Sequence, residues 1–198
     1  GAFGKNYVYS ALGALTIASG LGLSTLEAID QLKNYNISPG RMRLLRGMNN
    51  SLIIDDTYNS SPLATISALS NLGVVKCTGR KIAVLADMLE LGKHTEESHE
   101  EVGKIAKEKA DILVVVGLRS KKTKEGALKA GMNKQNIFEF LNSRPAGEFL
   151  KTIVNEGDLI LIKGSQGMRM ERAVFEILED KASQKPLLVR QDKEWEKR

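Results

Sequence analysis

KIAVLADMLELGKHTEESHEEVGKIAKEKADILVVVG, residues 81–117, is the stretch that decides the fold. It opens with Ile82-Ala83-Val84-Leu85, apolar at every position rather than at alternate ones. It closes with Ile112-Leu113-Val114-Val115-Val116, again without a polar break. A strand that is apolar on both faces offers no face to water, and such strands belong to sheets covered on both sides. Between the two runs, residues 95–109 are strongly charged, while His99, Val102 and Ala106 recur at helical spacing and mark a buried side. Strand, amphipathic helix, strand is the βαβ unit, which joins parallel strands by a right-handed crossover.

The same alternation extends in both directions. Strands are expected at Leu52–Asp55, Lys81–Ala86, Asp111–Val116, Asn136–Phe140 and Asp158–Ile162, with helices near 62–72, 95–109, 120–130 and 144–155. A last helix after Gly167 would carry Met170, Val174, Ile177 and Leu178 on one face. The fold class is α/β: a Rossmann-like, mainly parallel sheet with helices on both faces. Upstream, Val8, Ala11, Leu12 and Leu15 fall at helical spacing, and Gly20 and Gly22 stop that helix. Ser24-Thr25-Leu26-Glu27 is a capping box opening a short helix with Leu26 and Ile29 inward. After the break at Ser38-Pro39-Gly40, Met42–Arg46 and Ser51–Asp55 flank Gly47-Met48-Asn49-Asn50 as a hairpin. Three parts are therefore expected: residues 1–55 as a helical and hairpin remnant of a neighbouring domain, 56–180 as the α/β domain, and 181–198 as a mobile, polar, basic tail.

Composition removes several functional classes. With 198 residues, 42% hydrophobic and 27% charged, the chain has room for one full core, or one domain plus a piece of another. A single cysteine, Cys77, forms no internal disulfide, and a reducing, cytoplasmic location is expected. Two histidines and one cysteine do not make an ordinary zinc site, and no metal site is expected. The apolar runs are strand-sized, far short of a membrane span, and no membrane association is expected. The net charge is +5, but residues 181–198 hold six basic and three acidic residues, so the folded body is nearly balanced. Neither a basic stripe nor an aromatic platform for nucleic acid is present, aromatic residues being 5%.

Open α/β sheets bind ligands at the carboxyl ends of their strands. Three polar clusters fall at such ends: Asp55-Asp56-Thr57-Tyr58-Asn59-Ser60-Ser61-Pro62, Asp87-Met88-Leu89-Glu90-Leu91-Gly92 and Lys163-Gly164-Ser165-Gln166-Gly167. Each has a plain structural alternative. The first reads equally as a turn and helix start with Pro62 in the first helical turn. Asp87 reads equally as a loop closer; Lys163-Gly164-Ser165, before a helix, is compatible with a phosphate-binding turn. Neither a Walker loop nor a Gly-x-Gly-x-x-Gly occurs, and no catalytic residue is assigned. His99 reads as a structural histidine more readily than as a base.

Pro39-Gly40-Arg41-Met42-Arg43-Leu44-Leu45, Ile53-Ile54-Asp55-Asp56-Thr57-Tyr58-Asn59-Ser60-Ser61-Pro62, Ile82 to Gly92, Glu97 to Gly103 and Leu161-Ile162-Lys163-Gly164-Ser165 together resemble the Mur ligase family, over about residues 4–180. Asp-Met-Leu-Glu-Leu-Gly points to the branch that adds D-Ala-D-Ala. The resemblance implies a three-domain enzyme, of which this sequence resembles the end of the central ATPase domain and the whole Rossmann-like C-terminal domain. The implied activity is an ATP-dependent ligase of peptidoglycan precursor synthesis. It joins D-Ala-D-Ala to a UDP-N-acetylmuramoyl-tripeptide through an acyl phosphate, with ATP and Mg²⁺. The phosphate loop and Mg²⁺ ligands of the family do not occur in this sequence, so the chain by itself is expected to be inactive, with the missing N-terminal and central domains as partners.

The same resemblance implies site residues. Arg41 matches an arginine beside the nucleotide, Asp56 an acid that accepts from the ribose hydroxyls, and Ser10 stands where the family has a nucleotide-contacting asparagine. Tyr58 and Asn59 match the segment next to the interdomain hinge. Asp87, Lys163 and Ser165 match loops facing the incoming dipeptide, the lysine as a holder of carboxylate; Gln166 stands where the family has arginine. Two other readings stay open: another Mur-type ligase such as folylpolyglutamate synthase, and a non-catalytic α/β module binding a ligand or partner.

Overall fold

The computed structural model describes residues 4–196. The chain divides between Ser38 and Pro39 into two compact units. The first holds helices α1 (Lys5–Gly20) and α2 (Thr25–Gln31). Ser24 caps α2, its Oγ accepting from the Glu27 N–H at 3.4 Å, as the capping motif requires. Leu26 and Ile29, expected inward, are exposed, as are Val8, Leu12 and Ile17. Two helices by themselves form no second layer against which such a face is buried.

The second unit is built on one six-stranded sheet. Its strands are β1 (Arg43–Gly47), β2 (Ser51–Asp56), β3 (Lys81–Ala86), β4 (Ile112–Val116), β5 (Ile137–Phe140) and β6 (Leu159–Lys163), in the order β1-β2-β6-β3-β4-β5. Only the β1–β2 hairpin is antiparallel, with Arg43 opposite Asp55 and Gly47 opposite Ser51. The remaining pairs are parallel. Helices α3 (Pro62–Val74), α4 (Thr95–Lys109) and α5 (Lys121–Lys129) pack side by side, and α6 (Ser143–Ile153) packs on α7 (Glu171–Glu176). Alternate strand residues serve the two layers. Ile82, Val84, Ile160 and Ile162 join Ala146, Leu150 and Val174 in one core cluster, while Ala83, Leu85 and Leu161 are equally buried outside it.

Three expectations change. The hairpin belongs to the sheet unit, because β2 pairs with β6 along its length, so the division falls at residues 38/39 rather than near 55. The last helix ends at Glu176, and Leu178 instead bridges Gly47 beside the hairpin. Residues 181–196, expected as a mobile tail, form α8 (Lys181–Gln184), a turn at Lys185–Leu187 and α9 (Lys193–Glu196), with Leu188 and Val189 buried. Asp180 starts the segment by accepting from the Ala182 and Ser183 N–H groups. Among the described residues no helix is long and apolar enough to cross a membrane.

The strand order has one consequence for function. β6 lies between β2 and β3, so the loops that follow these three strands open side by side at the carboxyl edge, where chain direction switches.

Candidate functional site

The loops after β2 and β6 are joined by a buried ion pair. Lys163 Nζ lies 2.6 Å from Asp56 Oδ2 and also donates to the Asn59 carbonyl at 2.9 Å. Asp56 Oδ1 accepts the Met42 N–H at 3.2 Å. The lysine side chain is 3% exposed, so its ammonium is turned to the protein. A ligand carboxylate would reach it only by displacing Asp56. Gln166, by contrast, is exposed, in the turn Gln166–Met168. That turn is 3-10, and the Ser165 N–H is committed to the Asp87 carbonyl at 3.1 Å, so this N–H is not offered to an anion.

The loop after β3 is tied to both neighbours. Ser165 Oγ accepts the Leu89 N–H at 2.9 Å, and His99 Nε2 accepts the Met88 N–H at 3.0 Å. His99 Nδ1 then donates to the Thr95 carbonyl at 2.7 Å, which fixes a neutral tautomer; burial holds its pKa below the ordinary histidine value. The histidine is thus structural, a brace for the loop. Asp87 Oδ1 accepts from both the N–H and the Oγ of Ser120 at 2.7 Å, and Arg119 reaches to 3.6 Å of Oδ2. Gly117 makes this approach feasible: its φ is +112°, and a Cβ there would overlap the Asp87 carboxylate. Asp87 is buried, whereas the Arg119 side chain is 51% exposed.

Arg41 and Tyr58 form the outer part of the site. The Arg41 guanidinium lies 4.1 Å from the centre of the exposed Tyr58 ring. From the C-terminal segment, Arg190 donates to the carbonyls of Thr57 at 3.0 Å and Tyr58 at 2.6 Å, and pairs with Glu171 at 3.1 Å. Glu171 is also held by Arg169 at 2.5 Å. The segment read as a tail therefore clamps the loop that carries Asp56, Tyr58 and Asn59. Ser10 belongs to the helical unit, on α1, and is exposed. Sequence reasoning missed Arg119, Ser120, Arg190 and Glu171. Arg119 and Ser120 follow a strand at its carboxyl end, which was a usable signal; Arg190 carries none.

Asp55 provides a pH test. It is fully buried; Oδ1 accepts the Thr57 Oγ–H at 2.6 Å and the Thr57 N–H at 3.3 Å, while Oδ2 has no partner. Burial pushes its carboxyl up to about 6, against the pull of the Thr57 bonds. The folded state therefore holds this proton more tightly than the unfolded chain, whose carboxyl titrates near 3.8. Its stabilisation is full below the unfolded value and is lost as pH rises through about 6, by about 3 kcal/mol in all. His99 acts in the opposite sense, since its lowered pKa removes stability as pH falls below 6.5. The measurement is thus the difference in urea midpoint between the native chain and Asp55→Asn. Asp55→Asn is expected to gain on the native chain between pH 4 and pH 7.5; a constant difference would sink the assignment.

A family model described as Mur ligase, glutamate ligase domain, matches residues 40–166. The chain belongs to the Mur ligase family. The UDP-N-acetylmuramoyl-tripeptide–D-alanyl-D-alanine ligase of Bacillus subtilis (strain 168) is 31% identical over 181 residues, covering 91% of this chain and 39% of that protein. The ligase of the same name from Escherichia coli (strain K12) is 29% identical over 181 residues, covering 89% and 38%. Among solved structures, MurF ligase from Thermotoga maritima in complex with ADP superposes with a TM-score of 0.74 at 26% identity, covering 93% of this chain and 40% of that one. MurF from Acinetobacter baumannii gives 0.77 at 27% identity, covering 89% and 38%. This Mur ligase chain spans about two fifths of the length of these relatives.

Proposed function

We propose that this chain supplies the C-terminal portion of an ATP-dependent amide ligase that joins D-Ala-D-Ala to a UDP-N-acetylmuramoyl-tripeptide in the cytoplasm. The names of its relatives support that reading, and one observation carries it: the Asp-Met-Leu-Glu and Lys-Gly-Ser loops are tied together by Ser165, with Asp87 and Arg119 at the junction. Bound ATP would give its γ-phosphoryl group to a carboxylate, leaving ADP, and the free amine of the dipeptide would attack the resulting acyl phosphate, expelling inorganic phosphate and losing a proton as the amide forms. This chain's residues position the partners. Asp87, buried and held by Ser120, sets the position of the Arg119 guanidinium and is itself proposed as a substrate-side residue through that loop. Arg119 is the cation with an open face for the dipeptide's carboxylate, a role the buried Lys163 fills less well. Arg41 over Tyr58 gives a flat cationic surface suited to a nucleotide base or its phosphates, and Asp56 keeps acceptor capacity for a ribose hydroxyl. Ser10, Asn59 and Gln166 remain proposed contacts of the same ligands.

Among the described residues no group of three or more His, Cys, Asp or Glu side chains is placed to hold a metal ion. Ligands for Mg²⁺ are proposed in the family's N-terminal and central domains, which the chain would need as partners. The isolated chain is expected to release no phosphate from ATP in the presence of both other substrates. The decisive experiment places residues 1–198 into the B. subtilis relative over the matched region and follows formation of the UDP-linked pentapeptide. Ligation is expected, and Arg119→Gln should raise KM for D-Ala-D-Ala at least tenfold with kcat little changed. A folded chimera that binds neither ATP nor D-Ala-D-Ala favours the non-catalytic module.

A further inference from the structure

Behind the loop that Arg190 holds, the start of α6, the helix α7 and the segment 185–191 line an open hollow of about 230 Å³. Five cations line it: Arg144, Arg169, Arg172, Lys185 and Arg190. Two carboxylates, Glu171 and Glu176, line it as well, and both are already matched. Glu171 is shared by Arg169 and Arg190. Glu176 is held by Lys151 at 3.4 Å and Lys181 at 3.1 Å. Arg144, Arg172 and Lys185 have no carboxylate within ion-pair distance among the described residues, so three positive charges converge on one hollow without compensation. The field is felt within the site: burial first, then the charges of Arg169 and Arg144, hold the Arg172 guanidinium below its ordinary pKa.

Size narrows the ligand. At about 230 Å³ the hollow falls below the roughly 300–1,000 Å³ typical of sites for drug-sized molecules. A single carboxylate would offset one charge of three. Guanidinium forks match the paired oxygens of a phosphoryl group, and a diphosphate brings enough charge for all three cations. The geometry points to a binding site for a diphosphate group, held by Arg144, Arg172 and Lys185 over the Arg169–Glu171–Arg190 floor.

Such an anion would tie α6 and α7 to the C-terminal segment, and that segment already holds the Thr57 and Tyr58 carbonyls through Arg190. Occupancy would thus firm the clamp on the loop bearing Asp56. The diphosphate has two sources, the free inorganic anion and the phosphate chain of a nucleotide.

The test is an amide NMR titration of the 198-residue chain with sodium diphosphate, ionic strength being held constant with sodium chloride. Saturable shifts are expected at Arg144, Arg172 and residues 185–191. Arg144→Gln with Arg172→Gln should weaken binding at least tenfold without lowering Tm, since repulsion is relieved. Lys185→Gln, at an exposed position, provides the same test should the double variant fold poorly. A parallel titration with ADP separates the sources: equal affinity at the same residues assigns the nucleotide's phosphate chain, and response to diphosphate alone assigns the free anion. Unchanged affinity in the variants, equal shifts with chloride alone, or shifts centred on residues 56–62 would overturn the site.

Discussion

Lys163→Ala is expected to destabilise the chain by about 3–5 kcal/mol, the range for removing one partner of a buried ion pair. The lysine and Asp56 lie at the carboxyl ends of neighbouring strands, and both side chains are almost wholly buried. Truncation would leave the Asp56 carboxylate in a dry site with the Met42 N–H as its remaining partner at 3.2 Å. Asp55 is the next residue, and its own carboxyl is already pushed up by burial and by the Asp56 charge. Two adjacent acids without their cation would resist ionisation together. The Asn59 carbonyl would lose its donor as well, loosening the loop that carries Tyr58. Urea denaturation at pH 7.5 measures the loss. Lys163→Met combined with Asp56→Asn should recover much of it, because the cost lies in the unpaired charge and not in the missing pair. A loss under about 1 kcal/mol for Lys163→Ala would mean that water already reaches Asp56.

Much of the fold was legible because it rests on local pattern. Ile82 to Leu85 and Ile112 to Val116 are apolar at every position, and that alone demands cover on two faces. The three polar clusters were legible for the same reason, since each begins where an apolar strand stops. What escaped was long-range pairing. Nothing near Asp87 announces that Ser120, 33 residues later, will take its carboxylate. Lys163 looked like a ligand group because it ends a strand, but the same position sets it beside Asp56 across the β2–β6 register. Charge concealed the C-terminal segment: Leu187-Leu188-Val189 is a short apolar anchor among lysines and glutamates, and Arg190 behind it reads as one more surface cation until its carbonyl partners are seen. The hairpin was found, but a hairpin does not state which sheet its outer strands will join.

Gly103→Ala and Gly126→Ala should each cost about 2–3 kcal/mol, although alanine is the better helix former by about 1 kcal/mol. The sign is set by packing between α4 and α5. A Cβ on Gly103 would overlap the Thr123 carbonyl oxygen and lie 2.8 Å from the Ala127 nitrogen. One on Gly126 would overlap the Glu100 carbonyl oxygen, with the Glu100 carbonyl carbon at 2.8 Å. These are backbone atoms, so relief requires one helix to move off the other. Gly13, in the interior of α1, is the internal control: no atom lies within 4 Å of its added Cβ, and Gly13→Ala should stabilise its helix by about 0.5–1 kcal/mol. Thermal unfolding of the three variants reads both signs, and a stabilised Gly103→Ala would refute the close crossing. The crossing also bears on the site. α4 carries His99, which holds the Met88 N–H, and α5 follows Arg119 and Ser120, which hold the Asp87 carboxylate. The spacing of these two helices therefore sets the distance between the two supports of one loop. A methyl group inserted between them should draw Ser120 away from Asp87, and in the chimeric ligase Gly103→Ala should raise KM for D-Ala-D-Ala in the same direction as Arg119→Gln.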